Sequence, residues 1–267
     1  MSTDAHRVGR AFARHYDSYE RHAVVQRGVA ARLDALIGQH AESTAILRAL
    51  EIGMGTGFLS NLLSKRFPEA EWWFNDLVPQ ALDHVPRHLQ HVRLLPGDAE
   101  HITFPESLDL IASASAIQWF DDLPRFFHKA FRALAPGALL ALSSFADGHF
   151  RELRLLTGHT LPYPTPSDLC RMATEAGFGV ACCESHPQVL HFPSLHALLL
   201  HLRSTGVNGR SSAEIRSRRQ LAALEEQYRQ AFTEAPESDL PLHYEPIILL
   251  ATKPGGDGAQ LTSNSST

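Results

Sequence analysis

Cysteine is scarce: Cys170, Cys182 and Cys183 are the only three in 267 residues, two of them adjacent and none in a C-x-x-C pair. An odd count in a chain of this length argues against a disulfide framework and for a reducing compartment, so a cytoplasmic location is expected. No apolar run reaches eighteen residues, so no segment is expected to span a membrane. Met1 to Gln26 is polar and charged and does not read as a signal peptide. Positive charge is not in excess: 24 Lys and Arg stand against 29 Asp and Glu, a net charge of −5 with His neutral. That balance argues against a nucleic-acid partner. The 16 His include no H-E-x-x-H and no clustered ligand spacing, so no metal is expected and they read as exposed polar residues. No internal repeat is evident.

What is present is an alternation. An apolar lead, Ile46–Leu50, runs into Glu51-Ile52-Gly53-Met54-Gly55-Thr56-Gly57 and then an apolar helical segment. This reads as strand, tight glycine turn and helix N-terminus, a place where bare backbone and free N–H groups meet a ligand. Strands are predicted at 46–52, 71–76, 92–95, 108–115 and 138–145, with helices at 57–67, 78–90 and 121–135. The rhythm implies a doubly wound, mostly parallel sheet in a single domain over residues 1–253, with units 45–145 forming the ligand-binding β/α part. Helical periodicity over 6–37, ending at Gly38, makes residues 1–40 an N-terminal arm. After Phe145 come a short helix at 150–156, a helix capped by Ser167 and closed by Gly177, a long strand at 178–192 and a last strand at 240–252. Residues 187–240, with helices at 195–205 and 213–232, read as a helical lid over the strand C-termini, where open α/β sheets bind ligands. Residues 254–267 read as a disordered tail.

The turn is not a dinucleotide fingerprint: Phe58 stands where G-x-G-x-x-G needs its third small residue. It is E-x-G-x-G-x-G, with Glu51 first. Asp76 ends the second strand, where a carboxylate can bind ribose hydroxyls. Asp98 follows the third, where it can accept from an adenine amino group.

These features resemble the class I S-adenosylmethionine-dependent methyltransferases. The resemblance implies a Rossmann-like, seven-stranded, mostly parallel sheet with an antiparallel last strand. It also implies a cofactor site of Glu51, Gly53, Gly55, Gly57, Asp76, Leu77, Asp98, Ala99 and Ser115. A narrower resemblance covers about residues 10–253. Phe12, Arg14, Tyr19, Ala23 and Gln26 match the F-x-R and Y-x-x-x-A-x-x-Q opening of the malonyl-acyl-carrier-protein O-methyltransferases of biotin synthesis. Gln118-Trp119 resembles that family's Q-W segment, and Phe145 with Phe150-Arg151-Glu152-Leu153 its F…F-x-E-L. Arg203-Ser204-Thr205-Gly206 resembles its R-x-x-G, and Pro241–Tyr244 its last-strand entry. His243-Tyr244-Glu245 departs from the T-Y-H order, and Arg210-Ser211-Ser212 continues the loop differently.

The implied activity is methylation of the free carboxylate of a malonyl thioester, on acyl carrier protein or coenzyme A. Tyr19, Gln118 and Trp119 are the expected catalytic residues, with Arg203 and Tyr19 binding substrate. Arg203, Arg210, Arg216, Arg218 and Arg219 suggest a docking face for an acidic carrier protein. Two alternatives stand beside this reading: a methyltransferase acting on another small carboxylic acid such as a tricarboxylate, and a non-catalytic nucleotide-binding scaffold.

Overall fold

The structure, a computed structural model, describes residues 19–41, 45–158, 161–205, 217–235 and 237–255. The strands are β1 (Arg48–Ile52), β2 (Glu71–Asp76), β3 (Val92–Pro96), β4 (Leu108–Ser113), β5 (Leu134–Phe145), β6 (Gly179–Ser185), β7 (Gln188–Phe192), β8 (Leu240–Tyr244) and β9 (Pro246–Thr252). The helices are α1 (Val24–Ala41), α2 (Phe58–Arg66), α3 (Leu123–Ala133), α4 (Arg151–Thr157), α5 (Pro166–Glu175), α6 (Leu195–Ser204) and α7 (Arg218–Phe232). Seven strands form one sheet in the order β3-β2-β1-β4-β5-β9-β6, and β7 and β8 form a separate pair. Only β9 runs against its neighbours, β5 and β6, in the large sheet. The strand order reverses between β1 and β4, the switch point at which such sheets open a crevice.

Both faces of the central strands are covered, so successive residues are apolar on either side. Leu50 and Leu140 enter one core with Phe126, Phe127 and Leu169 of α3 and α5. Ala49 and Leu139 enter the opposite core with Leu33, Leu36, Leu59 and Leu63 of α1 and α2. A third cluster joins Val25 and Val29 of α1 to Phe145, Phe150, Leu198, Leu202, Tyr228, Leu240 and Tyr244. α1 therefore spans one sheet face and reaches the segment that caps the sheet's edge.

Several local expectations are corrected. The helix expected over 78–90 is a short 3₁₀ helix of two turns, Pro79–His84. Pro86 forces Val85 into an extended conformation (φ −57°, ψ 133°), which ends the helix. Gly38 does not stop the arm helix, which continues to Ala41. A Cβ at Gly38 would lie 2.5 Å from the Arg66 guanidinium, so glycine is there for close packing. That guanidinium is held by Asp34 through contacts of 2.8 and 2.7 Å. The cap of α5 is Thr165, not Ser167: its hydroxyl accepts from the Asp168 N–H while Asp168 reaches back, a capping box with Pro166 in the first turn. Gly177, at φ +102°, closes that helix as expected.

The long strands expected at 178–192 and 240–252 each break into two that serve different sheets. β6 and β9 pair in the large sheet, β7 and β8 in the small one. The breaks fall at the same level, His186-Pro187 opposite Glu245-Pro246, where proline withholds the ladder N–H. The region between the last long strands is thus a β-pair with α6 and α7 rather than helices alone. Of the arm motif, Phe12 and Arg14 lie outside the described residues, as do Gly206, Arg210, Arg216 and residues 256–267.

Candidate active site

The switch-point crevice is a cavity of about 1210 Å³ including its open mouth, walled by the ends of β1, β2 and β4 and the loops that follow them. Glu51, Gly53, Gly55, Asp76, Leu77, Asp98, Ala99, Ser115, Trp119 and Tyr19 all line it. Gly53, Gly55 and Gly57 take positive φ of 66°, 54° and 86°. At Gly53 a Cβ would also strike the Ala116 Cβ at 2.4 Å, so β-carbon-bearing residues are excluded twice over. Gly57 lies outside the wall and acts instead as the N-cap of α2.

Asp76 is what shapes the loop. Its carboxylate accepts the Gly55 N–H at 2.8 Å and the Val78 N–H at 2.7 Å. Asn75 works beside it: its carbonyl accepts from Gly53 N and Met54 N, and its amide donates to the Leu95 and Gly97 carbonyls. The second strand's end thereby ties together the loops after β1 and β3. Asp98 is engaged in its own turn, accepting the Glu100 N–H at 2.9 Å and lying 3.1 Å from His101 Nδ1.

Glu51 is 1 % exposed, and its Oε2 has no hydrogen-bond partner among the described residues. Burial is the main cause that pushes its carboxyl up to about 8, with the charge of Asp76 adding; the hydroxyl and N–H of Ser60 in the first turn of α2 pull the other way. Burial also raises Asp76, opposed by the N–H groups it accepts. A buried carboxylate with an orphaned oxygen at the glycine loop fits a cationic group brought by a ligand.

A smaller chamber of about 330 Å³ adjoins this cavity and shares Tyr19, Gln26, Ser115 and Trp119 with it. Its other walls are Gln118, Phe145, His149, Tyr163 and Thr205. Tyr19 stacks on Phe58 at 6.1 Å, with Arg27 over the other ring at 5.1 Å. Burial, with Asp76 adding, holds the Tyr19 phenol above its usual range, so it is a neutral hydroxyl. Ser115 sits at φ 55° with its N–H held by Ser143, a strained backbone at the site. Gln118 donates to the Ser115 carbonyl at 2.6 Å, and its Oε1 has no partner among the described residues.

The structure brings the expected residues together with two exceptions. Gly57 supports the loop from outside the wall, and Arg203 is exposed on α6, outside both walls. Thr56, Asn75, His149 and Tyr163 are lining residues that motif reading did not single out. The glycine-turn frame contained the signal for Thr56 and Asn75. Nothing in the sequence marks His149, and its burial overturns the reading of the histidines as uniformly exposed. His201 is buried as well, its Nε2 2.7 Å from the Tyr244 hydroxyl, and burial with His22 nearby lowers it to about 4. Among the described residues no group of His, Cys, Asp or Glu could hold a metal ion, and no helix is long and apolar enough to cross a membrane.

Comparison with known proteins bears on the same site. A family profile described as a methyltransferase domain matches residues 50–142, the glycine loop through β5. A malonyl-[acyl-carrier protein] O-methyltransferase of Haemophilus influenzae is 32 % identical over 250 residues, covering 94 % of this chain and 95 % of its own. The chain belongs to that family. A member from Chlorobium phaeovibrioides is 35 % identical over 246 residues, covering 90 % of this chain and 93 % of its own. Among solved structures, a methyltransferase of Bacillus halodurans superposes with a TM-score of 0.60 at 18 % identity, over 83 % of this chain and 98 % of that one. The YcgJ protein of Bacillus subtilis does so at 0.61 and 16 % identity, over 85 % and 100 %. These structures share the Rossmann-like fold. The chain is thus a methyltransferase, and its own Rossmann-like sheet carries a glycine loop and acidic strand ends.

Proposed function

We propose that the enzyme transfers a methyl group from S-adenosylmethionine to the free carboxylate of a malonyl thioester carried by acyl carrier protein. The observation that carries this reading is the adjacency of the two spaces: a glycine-loop pocket whose acidic lining includes Glu51, Asp76 and Asp98 adjoins a small, largely aromatic chamber and shares Tyr19, Ser115 and Trp119 with it. Glu51 and the loop backbone would hold the amino-acid end of the methyl donor, Asp76 its ribose and Asp98 the region of its adenine. When bound, the donor supplies an electrophilic methyl: the carboxylate oxygen forms the new O–C bond as C–S breaks and the electron pair returns to sulfur.

The chain's own task is then orientation and exclusion of water. A carboxylate is already ionised at neutral pH, so no strong base is required, and the neutral Tyr19 hydroxyl positions rather than deprotonates. Gln118 and Trp119, in the 3₁₀ turn after β4, face the same space. No Lys or Arg lines either cavity among the described residues. A cation there would compete with the donor's positive charge for the carboxylate.

Arg203, Arg218 and Arg219 are exposed on α6 and α7, and the reading assigns them to the approach of an acidic carrier protein, with residues 187–240 serving as the lid. The Michaelis constant for the carrier substrate should then rise steeply with salt; a flat salt response would remove this docking face. The reading as a whole is tested by rescue of a biotin-requiring strain that lacks its malonyl-carrier methyltransferase. Growth without biotin is expected, and failure with well-expressed protein would return the tricarboxylate alternative.

A further inference from the structure

The chamber beside the cofactor pocket contains a histidine with no role in the reading above. His149 is 2 % exposed. Its ring is stacked between Phe145 at 4.0 Å and Phe150 at 3.7 Å, with Tyr163 edge-on at 5.0 Å and Tyr244 at 5.0 Å. Four aromatic rings fix its plane. The Glu245 N–H points at Nδ1 from 3.4 Å, which leaves the proton on Nε2. Nε2 has no hydrogen-bond partner among the described residues, although the side chain lines the chamber. The Tyr163 hydroxyl, in the same wall, likewise has none. The backbone that presents His149 is strained: Phe150, a bulky residue, sits at φ 53° in the left-handed region that side chains with a Cβ disfavour. Its N–H is tied to the His243 carbonyl at 2.8 Å, so β8 holds the strained turn in place.

We propose that His149 Nε2–H and the Tyr163 hydroxyl are the two donors that bind the acceptor carboxylate and orient it toward the methyl donor. The proposal deepens the malonyl reading and rests on it. Two neutral donors suit the task. They fix a carboxylate through hydrogen bonds of ordinary strength and leave its attacking oxygen more electron-rich than a bidentate guanidinium would. Burial drives the His149 pKa well below the ordinary histidine value and raises that of Tyr163, so both stay neutral donors through the physiological range. They also give the site a means of selection: a methylated carboxylate has lost its charge and one strong acceptor, so the product is released in favour of fresh substrate.

The test is calorimetric binding of malonyl-pantetheine to enzyme saturated with S-adenosylhomocysteine, alongside steady-state kinetics with the live methyl donor. His149→Phe and Tyr163→Phe should each weaken malonyl-pantetheine binding about tenfold and raise its KM in step. Affinity for S-adenosylhomocysteine should stay within about twofold, and the methyl ester of malonyl-pantetheine should be affected much less. His149→Gln, which keeps an N–H near the Nε2 position, should recover most of the loss. Wild-type binding by both Phe variants would overturn the inference. An equal loss of affinity for the charged thioester and its ester would overturn it too, because it would mean packing rather than carboxylate recognition. Tyr163→Phe removes one oxygen only, so it decides the matter even if His149→Phe does not fold. A wild-type enzyme that fails to bind malonyl-pantetheine at all would overturn the substrate assignment itself, a result separate from failure of the variants alone.

Discussion

Glu51 gives the most quantitative consequence of the site. Its carboxyl is buried, has an orphaned oxygen and is pushed up to about 8, so the cofactor-free enzyme holds it protonated at pH 7. The proposed ligand brings an ammonium group to that place, and the carboxylate has to ionise to meet it. If the bound value falls to the ordinary range, about 0.9 proton leaves per cofactor bound at pH 7. The affinity should therefore strengthen about ninefold from pH 6 to pH 7, an interval in which the ligand's own α-amino group, of pKa about 7.7–8.0, stays charged. Calorimetry at pH 7 in two buffers of different ionisation enthalpy reads the proton count directly. Glu51→Gln should abolish both the proton release and the pH dependence. The same group bears on stability. A carboxyl raised in the folded state makes the fold lose stability as pH climbs from the unfolded value toward 8. Glu51→Gln should accordingly stabilise the cofactor-free protein at pH 7, by up to roughly 3 kcal/mol. A wild-type affinity that is flat between pH 6 and 7, with no proton released, would refute the placement of Glu51 opposite a cation.

Other expectations follow from single contacts. Asp76→Ala removes a carboxylate that accepts two loop N–H groups and should weaken S-adenosylhomocysteine binding by ten- to a hundredfold, on the order of 1.5–3 kcal/mol for charge-assisted hydrogen bonds; unchanged affinity by calorimetry would contradict the cofactor site. Tyr19→Phe should lower turnover about three- to tenfold, the measure of one neutral hydrogen bond, with cofactor affinity nearly intact; wild-type turnover would take Tyr19 out of the chemistry. Gly53→Ala meets both a positive φ and the Ala116 side chain and should cost on the order of 2 kcal/mol or more, read as a lowered denaturation midpoint. A midpoint equal to wild type would mean the loop relaxes freely.

The glycine-loop cavity was legible because it is local. Glycines at alternate positions, Asp76 closing one strand and Asp98 following the next all sit within a few residues of strand ends, and the switch-point rule places strand ends together. The sheet was legible for a similar reason: strands covered on both faces carry near-continuous apolar runs, as Ala138–Leu142 of β5 and Ile247–Ala251 of β9 do. The adjoining chamber was legible only in part: Tyr19, Gln118 and Trp119 were expected there, but its other walls come from elements far apart in the chain. His149 follows β5 and Tyr163 precedes α5, and no period or spacing links them. The motif reading stopped one residue short, at Phe150, which is the neighbour that props the histidine. Arg203 drew notice because a free carboxylate invites a cation, yet it faces outward while the chamber wall is neutral. The cap was misread as all helix because a strand broken by proline gives the same apolar run as an unbroken one; Pro187 and Pro246 decide that β7 and β8 leave the main sheet.

The most direct test of the account is mass analysis of malonyl-acyl carrier protein after incubation with the purified enzyme and S-adenosylmethionine. The account predicts a single added methyl group, removable by an esterase, with acetyl-acyl carrier protein left unmodified because it has no free carboxylate. Methylation of the acetyl form to the same extent, or an unmodified malonyl form beside a methylated tricarboxylate, would contradict it.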